Sequence, residues 1–476
     1  MLALESGLTK LRNHIDDKQL FAAGAKLLLA VSGGSDSLGL LCLFSKLRLQ
    51  SSITLLCCHV NHGLRGEHSD RDEALVKEVC LKLNVPVICR RVQLEEGGDL
   101  ENRAREARFE VLYHLLDIYN FDYIVLGHQK EDQAETILMN MFRGTGINGM
   151  AGIRIKQNRL LHPLLDFTRA ELQAIVSECG FQWATDATNE DISFKRNHLR
   201  QELIPYLQAN YAPDLLDKLS QLASVMEDAD AYFKAQAAKR FKKRRIESEP
   251  GLISFEIKGL KKLSDTELYY FFKHCYSQTC LEEMDFFNSH FMAIKALMEG
   301  GGSAKLHLSN EVVVYREYDL ISFNWGELET PDLQPQTVEE DRVWAVFGNY
   351  RFQFKNLKLL PKGYEPNEMN VVLAADDIAW PLIIRSREPG DRFIPSGMSN
   401  RKKLKDFFID AKVPKRLRDQ VPIISDGGRI LWVVGYRVDE RALPQASSAK
   451  LLQIIAEPLD ERPKRMSRVK QKGKKE

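Results

Sequence analysis

The first 210 or so residues constrain the fold most, because short apolar runs alternate there with segments of helical periodicity. Four apolar runs, rich in Val, Ile and Leu, occupy residues 26–31, 53–60, 85–90 and 123–127. Runs this short are typical of strands that are buried on both faces. Apolar residues at helical spacing fill the intervening segments 38–49, 71–83 and 101–119. Such alternation predicts right-handed crossovers, and therefore an α/β domain whose parallel sheet is covered by helices.

The remainder of the chain predicts two further domains and a tail. From about Pro213, apolar residues recur every three or four positions, as in a long amphipathic helix. Helical pattern dominates through Met298, and after a glycine triplet two apolar stretches, 304–308 and 312–315, predict a hairpin. The predicted division is 1–212 for the α/β domain, 213–336 for a mainly helical domain with a hairpin, 343–457 for a small α+β domain, and 458–476 for a basic, disordered tail.

Charge is balanced over the whole chain but segregated along it. The 67 Lys and Arg residues against 66 Asp and Glu give a net charge of +1, which at first argues against a nucleic-acid partner. Basic residues nevertheless cluster in three segments, 239–245, 401–418 and 462–476. Each cluster fits either a local anion-binding face or a solvated helix surface, and the sequence leaves both interpretations open.

Several classes of protein are excluded by the sequence. No stretch reaches the roughly 18 apolar residues of a membrane span, and the N-terminus lacks a secretory signal. The 8 cysteines form no CxxC pair, so neither a zinc ribbon nor a dithiol redox site is indicated. We therefore expect a protein of the reducing cytoplasm, with no membrane partner.

A glycine turn with hydroxyls follows the first apolar run and opens the next predicted helix. Its residues are Ser32, Gly33, Gly34, Ser35, Asp36 and Ser37. The glycines let the backbone approach a ligand closely, and consecutive N–H groups, the helix dipole and the hydroxyls together suit a phosphate. The lysine of a Walker A loop is missing. The alternative is a tight turn in which Ser or Asp only caps the helix.

In this context the hexapeptide resembles the PP-loop of the N-type ATP pyrophosphatases. The resemblance implies that the loop grips the pyrophosphate end of ATP and that chemistry occurs at the α-phosphate. It also implies that Asp36 helps to hold Mg²⁺, since hard oxygen ligands suit that ion.

Further polar segments follow the predicted strands and helices. The second strand ends at His59 and Asn61, and the fourth leads into Gly127, His128 and Asp132. Such residues at the carboxyl ends of strands, beside a phosphate loop, lie where ligands of α/β folds bind. Basic residues of interest are Arg105, Arg108, Arg196 and Arg200, then Arg392, Lys402, Lys403, Lys405 and Arg418.

In this order the segments resemble the tRNA(Ile)-lysidine synthetases, from the loop to Arg200 and again from about residue 387. The resemblance implies ATP-dependent adenylation of the wobble cytidine of tRNA(Ile) with a CAU anticodon. That adenylation releases pyrophosphate. L-lysine then replaces AMP at C2, which gives lysidine and free AMP and changes codon specificity from AUG to AUA. Whether the chain acts as a homodimer stays open.

The resemblance also implies roles for the residues. ATP would be bound by the hexapeptide together with His59, Asn61, Gly127 and His128. The tRNA would be bound by Arg105 and Arg108 and by the basic residues from Arg392 to Arg418 named above, in a C-terminal tRNA-binding domain.

Three residues, Asp132, Arg196 and Arg200, are candidates for catalysis beside Asp36. Asp132 would orient the lysine amine or accept its proton, with a helix cap as the alternative. Arg196 and Arg200 are four apart on a predicted helix and would face the same way. They would hold tRNA phosphate or developing charge, with surface salt bridges as the alternative.

The sequence departs from the family pattern at three positions. Gln129 stands where the family often has a histidine, Glu131 where it often has an aspartate, and His162 where an arginine is frequent. Two other functions stay open: a PP-loop tRNA thiolase and a non-catalytic tRNA-binding protein. Sulfur transfer usually needs reactive thiols or an iron–sulfur cluster, and here Cys57 and Cys58 lie in a predicted buried strand.

Overall fold

The computed structural model describes residues 2–63, 66–93, 100–184, 195–249, 252–280, 285–329, 331–361, 364, 367–446 and 448–459. The chain divides into two compact units, Met1–Tyr232 and Phe233–Glu476. The division into four segments made above stays a prediction. The predicted tail lies outside the described residues from position 460 onwards.

The first unit contains six strands and a series of helices. Its strands are β1 (Lys26–Ala30), β2 (Thr54–Asn61), β3 (Val87–Arg91), β4 (Tyr123–Val125), β5 (Lys156–Gln157) and β6 (Leu160–Leu161). Its helices are α1 (Leu2–Asp17), α2 (Ser35–Arg48), α3 (Glu67–Lys82), α4 (Leu100–Ile118), α5 (Lys130–Phe142), α6 (Ile147–Met150), α7 (Arg169–Glu178), α8 (Lys195–His198) and α9 (Ile204–Asn210). A π-helical turn, Leu199–Leu203, joins α8 to α9.

The sheet of this unit has the strand order β3-β2-β1-β4-β6-β5, and all pairs are parallel except β5 with β6. The predicted α/β fold with a parallel sheet is therefore confirmed. Helices α2 and α3 begin earlier than their apolar periodicity indicates, at Ser35 and Glu67. Their first turns are polar because acidic residues such as Asp36 and Glu67 favour the positive end of the helix dipole.

Strand β1 shows how both faces of the sheet are covered. Leu27 and Leu29 pack in one apolar cluster with α1, α2 and α7, whereas Leu28 packs in another with α4. Successive side chains of a strand point to opposite faces, so a strand of consecutive leucines requires apolar layers on both sides. The polar groups of the site are consequently confined to the ends of the strands.

Helix α10 (Leu215–Arg244) confirms the predicted long amphipathic helix. The segment after it contains helices α11 (Ile257–Leu260), α12 (Asp265–Thr279) and α13 (Asn288–Glu299). Its strands are β7 (Ile246–Glu249), β8 (Leu252–Glu256), β9 (Ser303–His307), β10 (Val312–Glu317) and β11 (Leu320–Trp325), in the order β7-β8-β11-β10-β9.

The predicted hairpin of this segment is confirmed as β9 and β10. Strands β7 and β8 were not predicted in this segment, where helical pattern was expected to dominate through Met298. Strand β8 pairs with β11, for example Phe255 with Ile321. Because that partner is distant along the chain, periodicity within a local window does not reveal the pairing.

The last segment is built from two antiparallel sheets, a two-stranded ribbon and one α-helix. The sheets have the orders β12-β16-β19-β20-β21 and β13-β14-β22-β15. The elements are β12 (Gln336–Val338), β13 (Trp344–Phe347), β14 (Tyr350–Leu357), β15 (Asn370–Ala374), β16 (Leu382–Arg385), β17 (Arg392–Phe393), β18 (Lys402–Lys403), α14 (Leu404–Asp410), β19 (Ile423–Ser425), β20 (Ile430–Val433), β21 (Arg437–Val438) and β22 (Leu451–Pro458), with 3₁₀ turns at Lys415–Gln420 and Glu440–Ala442. One apolar cluster contains residues of both sheets, including Phe352 and Trp432. Across the described ranges, no helix is both long and apolar enough to cross a membrane.

Candidate active site

A cavity of about 410 Å³ lies at the carboxyl ends of β1, β2 and β4. The chain passes from β1 to β2 and β3 on one side, and then returns to place β4 on the other side of β1. Ligands of open α/β sheets bind at such a reversal of strand order. The structure brings nine of the predicted site residues together here, since the lining includes Ser32, Asp36, Ser37, His59, Asn61, Arg108, Gly127, His128 and Asp132.

The glycine turn between β1 and α2 is shaped by its own hydrogen bonds. Gly33 has a φ of 101°, a conformation that favours glycine. The Ser37 hydroxyl accepts the N–H groups of Ser32 and Gly33, both at 3.2 Å, and donates to the Gly34 carbonyl at 3.0 Å. Gly34 is the N-cap of α2, and no side chain caps this helix. The alternative in which Ser or Asp only caps the helix is therefore wrong.

Gly127 allows the end of β4 to pack directly on the start of α2. A Cβ atom at this position would lie 3.1 Å from the Asp36 carbonyl oxygen and 3.3 Å from the Ser37 Cα. Both neighbours are backbone atoms, which cannot rotate away as a side chain could. The absence of a side chain at Gly127 therefore fixes the distance between β4 and the glycine turn.

Asp36 extends from the first turn of α2 into the cavity. Its Oδ1 accepts a hydrogen bond from the Ser35 hydroxyl at 3.0 Å, and its Oδ2 lies 3.5 Å from Nη2 of Arg169. Burial raises the pKa of Asp36 above its ordinary value, the positive charge of Arg169 opposes that rise, and the negative charge of Asp132 adds to it. Two carboxylates thus share one partly buried site.

This pair of carboxylates suits a magnesium ion. The described ranges hold no cluster of three or more His, Cys, Asp or Glu side chains that could bind a metal without help. Mg²⁺, however, is usually held by one or two carboxylates together with substrate phosphates. Asp36 and Asp132 both line the cavity and repel each other electrostatically. The donor chemistry at this position therefore fits Mg²⁺.

Burial lowers the pKa of the histidines of the site. His59 donates from Nδ1 to the Val31 carbonyl at 2.8 Å, and burial lowers its pKa. His128 packs against His162, with the ring centroids 4.9 Å apart and the ring planes inclined at 44°. Burial lowers the pKa of His128 to about 3, and the charge of a protonated His162 and of Arg196 acts in the same direction. His162, one of the departures from the family pattern, therefore packs as a ring against His128.

Asn61 is engaged by the protein itself. Its amide nitrogen donates to Glu73 at 2.9 Å and Asp70 at 3.2 Å, and its carbonyl oxygen accepts the Gly63 N–H at 2.9 Å. These bonds hold the end of β2 against α3. Asn61 lines the cavity, but its polar atoms already stabilise the loop that follows β2.

Glu135 forms ion pairs with both predicted catalytic arginines. This carboxylate is 0% exposed. Arg196 donates from Nε to Glu135 at 2.6 Å, and Arg200 donates to both oxygens of the same group. Arg200 Nη2 also donates to Asp132 at 3.1 Å, and Arg196 Nη2 lies 3.6 Å from the same oxygen. The two arginines therefore face the same way, as predicted, and their partners are two acidic side chains of α5.

Asp132 combines two roles at the start of α5. Its Oδ2 accepts the backbone N–H of Gln129 at 3.1 Å, which completes a capping box with the Gln129 side chain. Its Oδ1 meets Arg200, and the side chain lines the cavity. The predicted alternative of a helix cap is therefore present together with a position in the site. Gln129 itself is the N-cap residue, a role that needs a hydrogen-bond acceptor and no imidazole.

Arg105 and Arg108 differ in their surroundings on α4. Arg108 lines the cavity and packs 5.7 Å from the Phe109 ring centroid. Burial and the nearby charge of Arg105 lower the pKa of Arg108. Its Nε is buried and makes no hydrogen bond within the described ranges. Arg105 is exposed, and its guanidinium lies 5.6 Å from the centroid of the same ring.

The predicted RNA-binding residues of the second unit differ in their exposure and in their ion pairs. Arg392 and Lys403 are opposite each other in the β17–β18 ribbon. Lys403 and Lys405 are exposed and line a cavity of about 460 Å³. Lys402 forms an ion pair with Asp410.

The expectation for Arg418 is contradicted by its burial. This residue is 8% exposed, and its guanidinium donates to the Val413 carbonyl at 3.0 Å and to the Tyr318 hydroxyl at 2.7 Å. It joins the 3₁₀ turn after α14 to the end of β10. A guanidinium held in this way stabilises the unit and is not presented to RNA.

Two residues of the site, Glu135 and Arg169, were missed by the sequence analysis. Glu135 lies three positions after Asp132 on one helix, so helical spacing alone places both carboxylates on one face. Arg169 gives no comparable local signal, because its contact with Asp36 joins distant parts of the chain.

Comparison with known proteins places both ends of the chain in described domain families. Residues 5–207 match the PP-loop domain, and residues 382–454 match the TilS substrate C-terminal domain. A tRNA(Ile)-lysidine synthase of Clostridium perfringens is 30% identical over 465 residues, covering 94% of this chain and 98% of that protein. Proteins with the same name from Caldanaerobacter subterraneus subsp. tengcongensis and Geobacter sulfurreducens are 26% and 28% identical, each over 94% of this chain and over 97% and 96% of their own lengths.

Proposed function

Because the chain belongs to the tRNA(Ile)-lysidine synthase family, whose members are PP-loop, ATP-dependent ligases of tRNA, we propose that it joins free L-lysine to C2 of the wobble cytidine of tRNA(Ile) with a CAU anticodon. The product is lysidine, and the codon read changes from AUG to AUA. The observation that carries the proposal is the single cavity lined by the glycine turn, His59, Gly127 and Asp132.

ATP binds with its phosphates at the glycine turn and α2. The turn offers backbone N–H groups at the positive end of a helix dipole, which suits a phosphate chain. Mg²⁺ would be held by Asp36 with Asp132 beside it, and when bound it would polarise the α-phosphate. The neutral rings of His59 and His128 contribute hydrogen bonds and apolar surface without adding charge.

The chemistry needs an activated cytosine. Cytosine O2 is a poor nucleophile, so the α-phosphate has to be held in line with it. Attack forms the bond between O2 and the α-phosphorus and releases pyrophosphate, after which O2 leaves C2 as part of AMP when the lysine amine attacks. A base inside an anticodon loop reaches such a cavity by being turned out of its stack.

Asp132 is the group proposed to receive the amine. Its Oδ1 shares Arg200 with Glu135, so the carboxylate is fixed in position by two arginines and its bond in the capping box. A fixed carboxylate orients an incoming ammonium group and accepts its proton. Arg196 and Arg200 offset the charge that develops on the phosphate.

The tRNA is proposed to contact exposed basic residues, namely Arg105, Arg392, Lys403 and Lys405. Phosphate contacts of this kind position an RNA without reading its sequence. Cytoplasmic location and a homodimer remain proposals of the same kind, supported by the family alone.

The test is a reconstituted reaction. Purified protein is mixed with ATP, labelled lysine and tRNA(Ile) bearing a CAU anticodon, and the tRNA is digested and its nucleosides are analysed. We expect labelled lysidine and equimolar AMP, and no product with the methionine tRNA that shares this anticodon or with Asp36→Asn. Absence of lysine-dependent AMP release from folded protein and intact tRNA would refute the proposal.

The same assay separates the other two functions. Sulfur transfer would give a thiolated nucleoside, and a purely RNA-binding protein would bind tRNA without consuming ATP. The thiols of β2 do not favour sulfur chemistry: burial raises the pKa of Cys58 to about 12, and a neighbouring thiol, Cys80, raises that of Cys57. A thiol with a raised pKa is a weak nucleophile at neutral pH.

A further inference from the structure

Arg169 is a cation beside Asp36, and the sequence analysis predicted it neither as a catalytic residue nor as a binding residue. It is the first residue of α7, and its Nη2 is 3.5 Å from Oδ2 of Asp36. The side chain is 31% exposed, so it sits at the border of the site and not in the core. Its Nε is buried and makes no hydrogen bond within the described ranges. The guanidinium therefore has an acidic partner at long range, and its Nε has no acceptor in the described part of the chain.

The position of Arg169 is fixed from two directions. Its backbone N–H donates to both oxygens of Glu131, at 3.2 and 3.1 Å, so this departure from the family pattern links α5 to the start of α7. Thr168 caps the same helix in a capping box with Glu171. Close packing then holds α7 on α2, since a Cβ at Gly39 would lie 3.1 Å from the Cβ of Leu172.

The electrostatics of Asp36 change when a nucleotide arrives. In the structure, burial raises the pKa of Asp36 and the positive charge of Arg169 opposes that rise. A triphosphate adds several negative charges, and a metal ion would compete for the oxygens of Asp36. The long ion pair with Arg169 is then the contact most easily exchanged, because it lacks the short, bidentate geometry of a strong arginine–carboxylate pair.

We propose that Arg169 exchanges partners during the reaction: it neutralises Asp36 in the nucleotide-free protein and binds the pyrophosphate leaving group during adenylation. The inference rests on the proposed function, because it takes the glycine turn and Asp36 as the ATP site. As cytosine O2 bonds to the α-phosphorus, the bond from that phosphorus to the bridging oxygen breaks. Its electron pair leaves with pyrophosphate, whose added charge the guanidinium stabilises.

The experiment measures binding of Mg²⁺-pyrophosphate, ATP and AMP to the full chain by calorimetry. We expect Arg169→Met to weaken pyrophosphate and ATP binding by roughly 10–100-fold and to leave AMP binding within twofold. Arg169→Lys keeps the charge without the planar fork and should recover part of the loss. Arg351→Met is the matched control, since it removes an arginine from an exposed ion pair with Glu457 in the second unit.

A double substitution separates direct contact from positioning of Asp36. If Arg169 acted only by holding Asp36, Arg169→Met would have no further effect on pyrophosphate binding in an Asp36→Asn background. We expect a further loss of at least fivefold. Pyrophosphate affinity within threefold of wild type in R169M, or an equal loss for AMP, would overturn the inference. Should R169M be unstable, Arg169→Gln, which keeps a polar side chain without the charge, replaces it, and pyrophosphate affinity within threefold of wild type in that variant has the same consequence.

These binding measurements need neither tRNA nor lysine. Failure of the wild-type protein to form lysidine would therefore refute the proposed function without touching the affinity differences. Lysidine formation by the wild type together with full pyrophosphate affinity in R169M would refute only the role of Arg169.

Discussion

Glu135 is the carboxylate with which both candidate catalytic arginines of the site pair. It is fully buried and accepts hydrogen bonds from Arg196 and Arg200. Loss of one partner of a buried ion pair leaves the other charges uncompensated, which costs more than the pair itself contributes.

We expect Glu135→Gln to lower the free energy of unfolding of the first unit by about 3 kcal/mol. Urea unfolding followed by hydrogen exchange in β1 and β4 would measure the change within that unit. Glu67→Gln is the control, because its pair with Arg71 is exposed and should contribute less than about 0.5 kcal/mol. Equal effects of the two substitutions would contradict the role assigned to burial.

Gly127 provides the second prediction at this scale. An added methyl group meets the backbone of α2 and must push β4 away from the glycine turn. We expect Gly127→Ala to cost about 1–3 kcal/mol of stability and to weaken ATP binding, measured by thermal unfolding and calorimetry. Gly301→Ala, at a position with open space and no positive φ, should alter neither quantity. Unchanged ATP affinity in Gly127→Ala would show that the turn tolerates displacement.

At the scale of elements, the N-terminus of α7 links stability to the site. Thr168 caps this helix, and Ser264 caps α12 in the second unit with the same capping box. Each substitution to Ala should cost about 1 kcal/mol, because one N–H group of the first turn loses its acceptor. Only Thr168→Ala should also weaken pyrophosphate binding, since Arg169 begins the helix it caps. A loss of affinity in Ser264→Ala would indicate a general effect on the protein.

The sequence predicted those elements whose signal is local. Strands β1 to β4 follow from runs of Val, Ile and Leu, and the glycine turn from its position between a strand and a helix. The pairing of Arg200 with Asp132, 68 positions away, could not be predicted, because it depends on where α5 and the π-helical turn meet. The burial of Arg418 was missed for the same reason: its acceptor, Tyr318, lies 100 positions away on another strand end.

At the scale of the whole molecule, counting cations overstates the charge that is free to bind RNA. Within the basic cluster 401–418, Lys402, Lys412 and Arg416 are in ion pairs with acidic side chains, and Arg418 is buried. Lys403 and Lys405 are exposed, and neither is in such a pair in the described part of the chain.

We expect Lys403→Ala with Lys405→Ala to weaken tRNA binding and to make its dependence on salt shallower by about 2 in a log–log plot, as two phosphate contacts are lost. ATP binding should be unchanged. Filter binding over a range of salt concentrations provides the measurement, and Lys305→Ala, from an exposed pair with Glu327, is the control. An unchanged slope would exclude these two lysines as phosphate contacts.

The stability of the molecule should fall in mild acid. The pKa values of His59, His62, His128 and His162 are all lowered by burial, that of His128 to about 3. Between pH 6.5 and about 3 the unfolded chain therefore binds more protons at these rings than the folded protein does, so stability decreases as pH falls. The raised pKa values of Asp36 and Glu131 act in the opposite direction on a smaller number of groups.

Thermal unfolding at pH 7 and pH 5 tests this expectation. His162→Gln removes one of the rings, and it should reduce the difference in melting temperature between the two pH values. His307→Gln, at an exposed ring, should leave the difference unchanged. An undiminished difference in His162→Gln would mean that other groups are responsible.

The double role of Asp132 determines what mutations at this position do to the protein. One oxygen completes the capping box of α5 and the other pairs with Arg200, so any replacement that cannot accept a hydrogen bond loses this half of the capping box and the proposed chemistry together. A protein weakened in this way is cleared by proteases more readily, and its abundance falls with its activity. Mutation at this codon therefore tends to yield little protein. It should less often yield an abundant inactive protein that binds tRNA and withholds it from functional copies of the enzyme.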